Sequence, residues 1–138
     1  ITSMGEICYF TALKKLYCYN NQLTSLDLSK NSELTYLNCR YNQLTSLDIS
    51  KNTALTYLSC DTNQLTSLNL SKNTALITLY CGGNQLTSLD VSNSKELTLL
   101  RCNGNQLTSV RIYKYNIMDE WLMDDIIFDY GNIITYIE

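Results

Sequence analysis

The sequence has no histidine and no proline, and only 5 of its 138 residues are glycine. Without histidine, neither a Ser-His nor a Cys-His pair can form, which removes the usual ways of activating a nucleophile. Adjacent carboxylates such as Asp124 and Asp125 would face opposite sides of an extended chain, a poor geometry for paired acid-base work. We therefore expect no enzyme activity, no cofactor and no metal centre. The lack of proline and the few glycines also argue against a disordered linker composition.

Charge is scarce as well. Only 17% of residues are charged, and the net charge is -3. The ten Lys and Arg are scattered along the chain, without the basic stripe that nucleic-acid binding requires. The acidic residues are less even: Asp119, Glu120, Asp124, Asp125, Asp129 and Glu138 lie in a C-terminal stretch without Lys or Arg. No apolar run is long enough to span a membrane, and no secretory leader pattern is visible. Ile1 is not an initiator, which fits a removed signal and a fragment equally well. The hydrophobic fraction of 45% is sufficient for the core of a single domain.

What is present in abundance is repetition. Residues 34–54 read LTYLNCRYNQLTSLDISKNTA, residues 55–75 read LTYLSCDTNQLTSLNLSKNTA, and residues 76–96 read LITLYCGGNQLTSLDVSNSKE. The period of 21 holds without insertion from Leu13 to Ile117, giving five units. Residues 1–12 match the tail of a further unit. Residues 118–138 carry Met118, Trp121, Met123, Ile126 and Phe128 on the apolar positions of a degraded unit or C-terminal cap, which reads as either helix or strand. The whole chain, 1–138, is thus a single domain.

Within a unit, Leu37 and Cys39, then Leu47 and Ile49, alternate with polar residues, the period of a strand. Twenty-one residues are too few for a strand, a long helix and two turns. Two extended segments joined by two corners fit, with Leu34, Leu37, Cys39, Leu44, Leu47 and Ile49 inward. One such coil buries too little apolar surface to offset its own ordering, so coils must stack on their neighbours. The pattern predicts parallel strands near residues 36–40, 57–61, 78–82 and 99–103, and weak curvature.

The motif LxxLxCxxNxL resembles the leucine-rich-repeat family. The nested second half, LTSLDISKN, is similar to its 21-residue bacterial subclass, the IRREKO repeats. The resemblance implies a right-handed solenoid with a parallel sheet on the LxxLxC side. It also implies a role in protein interaction, often at bacterial surfaces, so a surface or secreted location is favoured, while a cytoplasmic one stays open.

Several columns invite a chemical reading. Cys18, Cys39, Cys60, Cys81 and Cys102 recur at 21 residues, unlike the close spacing of a zinc site. Stacked Cα atoms about 5 Å apart are within disulfide reach, but parallel inward side chains suit buried thiols better. Cys8 is off the column and is expected to be more exposed. Asn21, Asn42, Asn63, Asn84 and Asn105 are expected to satisfy backbone groups at one corner, and Asn31, Asn52 and Asn73 at the other, where Ser94 breaks the series. Asp27, Asp48, Asn69 and Asp90 face out beside Lys30, Lys51 and Lys72, a solvated face more than a cation site. The ladder Thr24, Thr45, Thr66, Thr87 and Thr108 admits an ice-binding reading, but threonine also suits strands. Gly82-Gly83 stand where the other units carry ordinary outward residues and show no phosphate motif.

The two outward faces differ. On the second segment the outward residues repeat almost unchanged. On the first they diverge at every coil: Lys15, Tyr36, Tyr57, Thr78, Leu99; then Tyr17, Asn38, Ser59, Tyr80, Arg101; then Tyr19, Arg40, Asp61, Gly82, Asn103. Uniform columns serve stacking, whereas divergent ones are free to serve recognition. Tyr and Arg combine large contact area with polar ends. The expected partner-binding residues are therefore Tyr17, Tyr19, Tyr36, Arg40, Tyr41, Tyr57, Tyr80 and Arg101. The expected function is a non-catalytic module for a protein partner, with a glycan as the weaker ligand class. The alternative is a spacer segment of a larger surface protein with no site of its own. Self-association through the N-terminal edge stays open.

Overall fold

The computed structural model describes residues 1–113, 126–127 and 133–137. The first-segment strands are β1 (Lys15–Tyr17), β2 (Tyr36–Asn38), β3 (Tyr57–Ser59) and β4 (Thr78–Tyr80), followed by β6 (Leu99–Arg101) and β8 (Ile126–Ile127). They form one six-stranded sheet in the order β1-β2-β3-β4-β6-β8. Every pair is parallel, and Tyr36 aligns with Tyr57 and Tyr57 with Thr78, a shift of one period. The strands are shorter than the sequence predicts. Each ends before the cysteine, because the chain then turns into the corner, where Asn20, Tyr41, Thr62, Gly83 and Gly104 all adopt positive φ of 52–71°.

The second segment departs further from expectation. Strand pairing occurs there only for β5 (Ser88–Asp90), β7 (Ser109–Tyr113) and β9 (Ile133–Ile137), again all parallel. In the earlier coils this side runs extended with no strand pairing among the described residues. Its outward polar residue turns back on the chain, in paired and unpaired coils alike: Asp27, Asp48, Asn69 and Asp90 accept the N–H of Ser29, Ser50, Ser71 and Ser92 at 2.9–3.0 Å. Those bonds hold the Asp27 and Asp48 carboxyls below the ordinary carboxylate range. No helix lies between Leu44 and Ala54. The segment before the first full coil contains a 3-10 turn, Gly5–Tyr9, that buries Ile7 against the stack.

The core is one continuous column. Leu34, Leu37, Cys39, Leu44, Leu47 and Ile49 of one coil are all buried, and the same six positions are buried in the next two. The corners close as the sequence predicts. Asn63 accepts the Leu44 N–H through Oδ1 (3.0 Å) and donates through Nδ2 to the carbonyls of Cys39 (3.1 Å) and Cys60 (3.0 Å). One side chain thus clasps two successive coils. At the other corner Asn52 donates to the carbonyls of Leu28 and Asn31, and Asn73 to those of Ile49 and Asn52. Ser94, which breaks that series, still donates to the Asn73 carbonyl.

All six cysteines are free thiols, with the five of the column buried and Cys8 half-buried. Burial pushes the Cys18 thiol up to about 11 and holds Cys39, Cys60 and Cys81 well above the ordinary range. Thiolate is the reactive form. A thiol reagent applied to the native protein is therefore expected to modify Cys8 first and leave Cys60 intact until unfolding, as peptide mass mapping over time would show. Equal rates at the two positions would mean that the column is open to solvent.

The residues Met118, Trp121, Met123 and Phe128, expected to form a cap, lie outside the described residues. Ile126 falls in β8, so that position of the degraded unit continues the first sheet.

Candidate functional site

The outward face of the first sheet does not repeat, and its side chains meet across coils. Tyr17, Tyr36, Tyr57 and Tyr80 form a continuous run. Their successive ring centroids are 4.8, 4.2 and 5.8 Å apart, and the Tyr36 and Tyr57 rings are parallel within 6°. Two of these rings come from one column and two from the next. They meet because parallel strands place successive coils in lateral contact. Stacking half-buries Tyr36 and Tyr57, while Tyr17 remains exposed. Burial and the neighbouring Tyr36 push the Tyr57 hydroxyl up to about 12, so it is a hydrogen-bond donor at any ordinary pH.

The arginines sit on rings. The Arg40 guanidinium lies 5.5 Å from the centroids of both Tyr19 and Tyr41, and that of Arg101 lies 5.5 Å from the Tyr80 ring. Such contacts fix otherwise loose side chains at about 0.5–1 kcal/mol each. All eight residues predicted from the sequence therefore fall into ring contacts on this one face.

Beside the tyrosine run is a groove of about 560 Å³, lined in part by Arg40, Tyr41, Tyr57, Asp61, Tyr80 and Arg101. Tyr17, Tyr19 and Tyr36 lie outside it. Its floor is made by residues that sequence reasoning passed over: Ser59, Thr62, Gly82, Gly83, Asn103 and Gly104. Gly82 occupies the column that elsewhere holds Tyr19, Arg40, Asp61 and Asn103. A Cβ at Gly82 would approach the Asn103 carbonyl oxygen to 2.9 Å and the Asp61 carboxylate to 3.5 Å. Gly82 is itself buried, and the absent side chain lets Asp61 and Asn103 close in on it, with no side chain of that coil screening Asp61 from the groove. The signal was in the sequence as a single glycine in a column of large polar residues.

Asp61 is the half-buried charge of the groove. Its carboxylate accepts the Ser59 hydroxyl at 2.8 Å and the Gly82 N–H at 3.1 Å. Even so, burial outweighs these bonds and the attraction of Arg40, and raises the carboxyl above its ordinary value.

The corner beneath the groove carries backbone strain. Its left-handed position suits Gly83 and Gly104, whereas Tyr41 and Thr62 hold it with φ of 55° and 52°. That conformation costs roughly 1–2 kcal/mol for a residue with a Cβ, and a β-branched residue there is a genuine outlier. Both strained residues line the groove.

These features define a leucine-rich-repeat solenoid with one non-repeating face. Solved structures with the same fold come from bacteria. The functional domain of InlJ from Listeria monocytogenes is 34% identical over 99% of this chain, with a TM-score of 0.74, and is described as including a cysteine ladder. A leucine-rich-repeat protein of Leptospira interrogans is 27% identical over 95% of this chain, with a TM-score of 0.71. Internalin C2 of Listeria monocytogenes, at 23% identity and a TM-score of 0.72, shares the fold. This chain spans 38%, 34% and 57% of those three chains. No protein-family model and no curated protein matches the sequence. The chain is a leucine-rich-repeat solenoid of the bacterial kind represented by these structures.

Proposed function

We propose that the chain is a non-catalytic protein-binding module that uses its first-sheet face, displayed at a bacterial surface. The observation that carries this reading is the contrast between faces. The side chains of the first sheet form a joined Tyr and Arg surface with a groove, while the second side repeats Thr, Ser and Asp almost unchanged. A spacer has no reason to differ between its two sides, and although the left-handed corner recurs in every coil, nothing in stacking calls for a Tyr or a Thr where Gly83 and Gly104 hold it without strain. Strain of that kind is retained where a side chain has another task. The same geometry argues for protein over glycan. Tyr36 and Tyr57 turn their faces to one another, with centroids 4.2 Å apart, so those faces are closed to a ligand. A sugar stacks on an open ring face, whereas edges and phenolic hydroxyls suit peptide carbonyls and carboxylates.

The test is the triple substitution Tyr36→Ala, Tyr57→Ala and Arg40→Ala, checked first for an unchanged circular dichroism spectrum. Binding to a captured protein partner is expected to weaken by about a hundredfold or more, since centrally placed Tyr and Arg each contribute on the order of 1–2 kcal/mol at interfaces. Tyr41→Gly separates recognition from folding. It is expected to raise the stability by about 1 kcal/mol through relief of the left-handed strain and to lower partner affinity. A partner that bound both variants as tightly as the parent would place the site elsewhere.

A further inference from the structure

We propose that the groove beside Asp61 receives one cationic side chain, a Lys or Arg, of the protein partner; this rests on the binding role of the face and names its most specific contact.

The argument starts from what Asp61 lacks. A carboxylate offers about four acceptor positions, and two here are taken by Ser59 and Gly82. Among the described residues, no Lys or Arg nitrogen lies within ion-pairing distance of it; the single ion pair joins Asp90 and Arg111 on the other side. A half-buried carboxylate without a counter-ion carries a desolvation cost, and a cationic donor recovers more of it than a neutral one.

The groove's own arginines leave the position open. Arg40 is one coil away in the same column, yet its guanidinium lies back over Tyr19 and Tyr41. Arg101 lies over Tyr80. Both are exposed to solvent, where their charge is screened, while the Asp61 charge is partly withdrawn from it. An anion entering the groove at this point would meet Asp61 itself. A cation would meet the carboxylate, the side-chain oxygen of Asn103 and the hydroxyl-bearing rings of Tyr57 and Tyr80. Gly82, alone in its column without a side chain, puts nothing between the Asp61 carboxylate and the groove that both line.

The experiment titrates the ¹⁵N-labelled chain with four small probes: N-acetyl-arginine amide, N-acetyl-lysine amide, N-acetyl-glutamate amide and a methyl glucoside. The two cations are expected to shift the amide signals of Gly82, Gly83 and Gly104 saturably, and the carboxyl ¹³C signal of Asp61 with them. The anion and the glucoside are expected to leave these signals unmoved. Asp61→Asn, which keeps the shape of the side chain, is expected to weaken cation binding at least about tenfold. Its unfolding midpoint should be unchanged or higher, because a partly buried charge is removed. A residue with a merely structural role would instead lose stability. The proposal is overturned by the absence of saturable shifts with either cation, by undiminished binding in Asp61→Asn, or by equal shifts with the anion or the glucoside. No partner protein is used, so failure here would leave the face reading to its own triple-substitution test.

Discussion

Leu58→Ala is expected to destabilise the protein by about 2–5 kcal/mol in a denaturant series, among the largest losses available from one side chain. Leu58 is fully buried on β3, and its register partners are Leu37 on β2 and Leu79 on β4, both also fully buried. The truncation leaves a cavity with coils on both sides, and neither neighbour can close it without breaking its own hydrogen bonds to the next coil. Because each coil is stable only through its neighbours, the loss also reduces the coupling between the two halves of the stack. A broadened or biphasic transition is therefore expected alongside the lower midpoint. Thr66→Ala, on the exposed second side, serves as the contrast and should change stability by no more than about 0.5 kcal/mol. Equal losses from the two substitutions would mean that the inward and outward faces are wrongly assigned.

Asn63→Ala should cost about 1–3 kcal/mol, although it removes little apolar surface. The substitution leaves the buried Leu44 N–H without its acceptor and takes one of two side-chain donors from the carbonyls of Cys39 and Cys60, which keep those of Asn42 and Asn84. Each buried group left unsatisfied costs roughly 1–3 kcal/mol. Asn63→Asp tests the mechanism more sharply. It keeps the size and the acceptor oxygen but turns the donor toward Cys39 and Cys60 into a second acceptor, so carboxylate would face carbonyl. Equilibrium unfolding should show it at least as damaging as alanine near neutral pH, and less damaging when acid restores a proton to donate. If Asn63→Ala unfolded with a normal midpoint, water would have to replace the amide, and the column would not be the clasp between coils that its bonds describe.

Much of this molecule is legible in the sequence. The period of 21, the inward set Leu34, Leu37, Cys39, Leu44, Leu47 and Ile49, and the asparagine corners all follow from residue type and spacing. They do so because each coil repeats the same local problem: one apolar stripe to bury and two corners whose backbone groups need partners. The absence of histidine likewise excludes a catalytic pair built on a histidine base. The divergence of the first-segment columns sets one face apart, and the proposal of Tyr36, Arg40 and Tyr57 as contacts starts from it.

The groove was a different matter. Asp61 and Gly82 were visible as unlike neighbours in one column, but their meaning depends on lateral distance. Residues 21 apart in sequence come within hydrogen-bonding reach only after the coils stack, as when the Gly82 N–H reaches Asp61. Side-chain rotation then decides the rest. Nothing in the sequence says that Arg40 lies back on Tyr19 and Tyr41 and leaves Asp61 open, or that Tyr36 and Tyr57 close their faces against each other. Nor does the second segment announce where it pairs, since Leu47 and Leu89 are inward in both arrangements, yet only the strand holding Leu89 joins a sheet. Inward positions are dictated by the cost of exposing apolar surface, which a residue carries with it. Outward contacts are settled by which neighbours the stacked coils bring within reach, and that belongs to the tertiary structure alone.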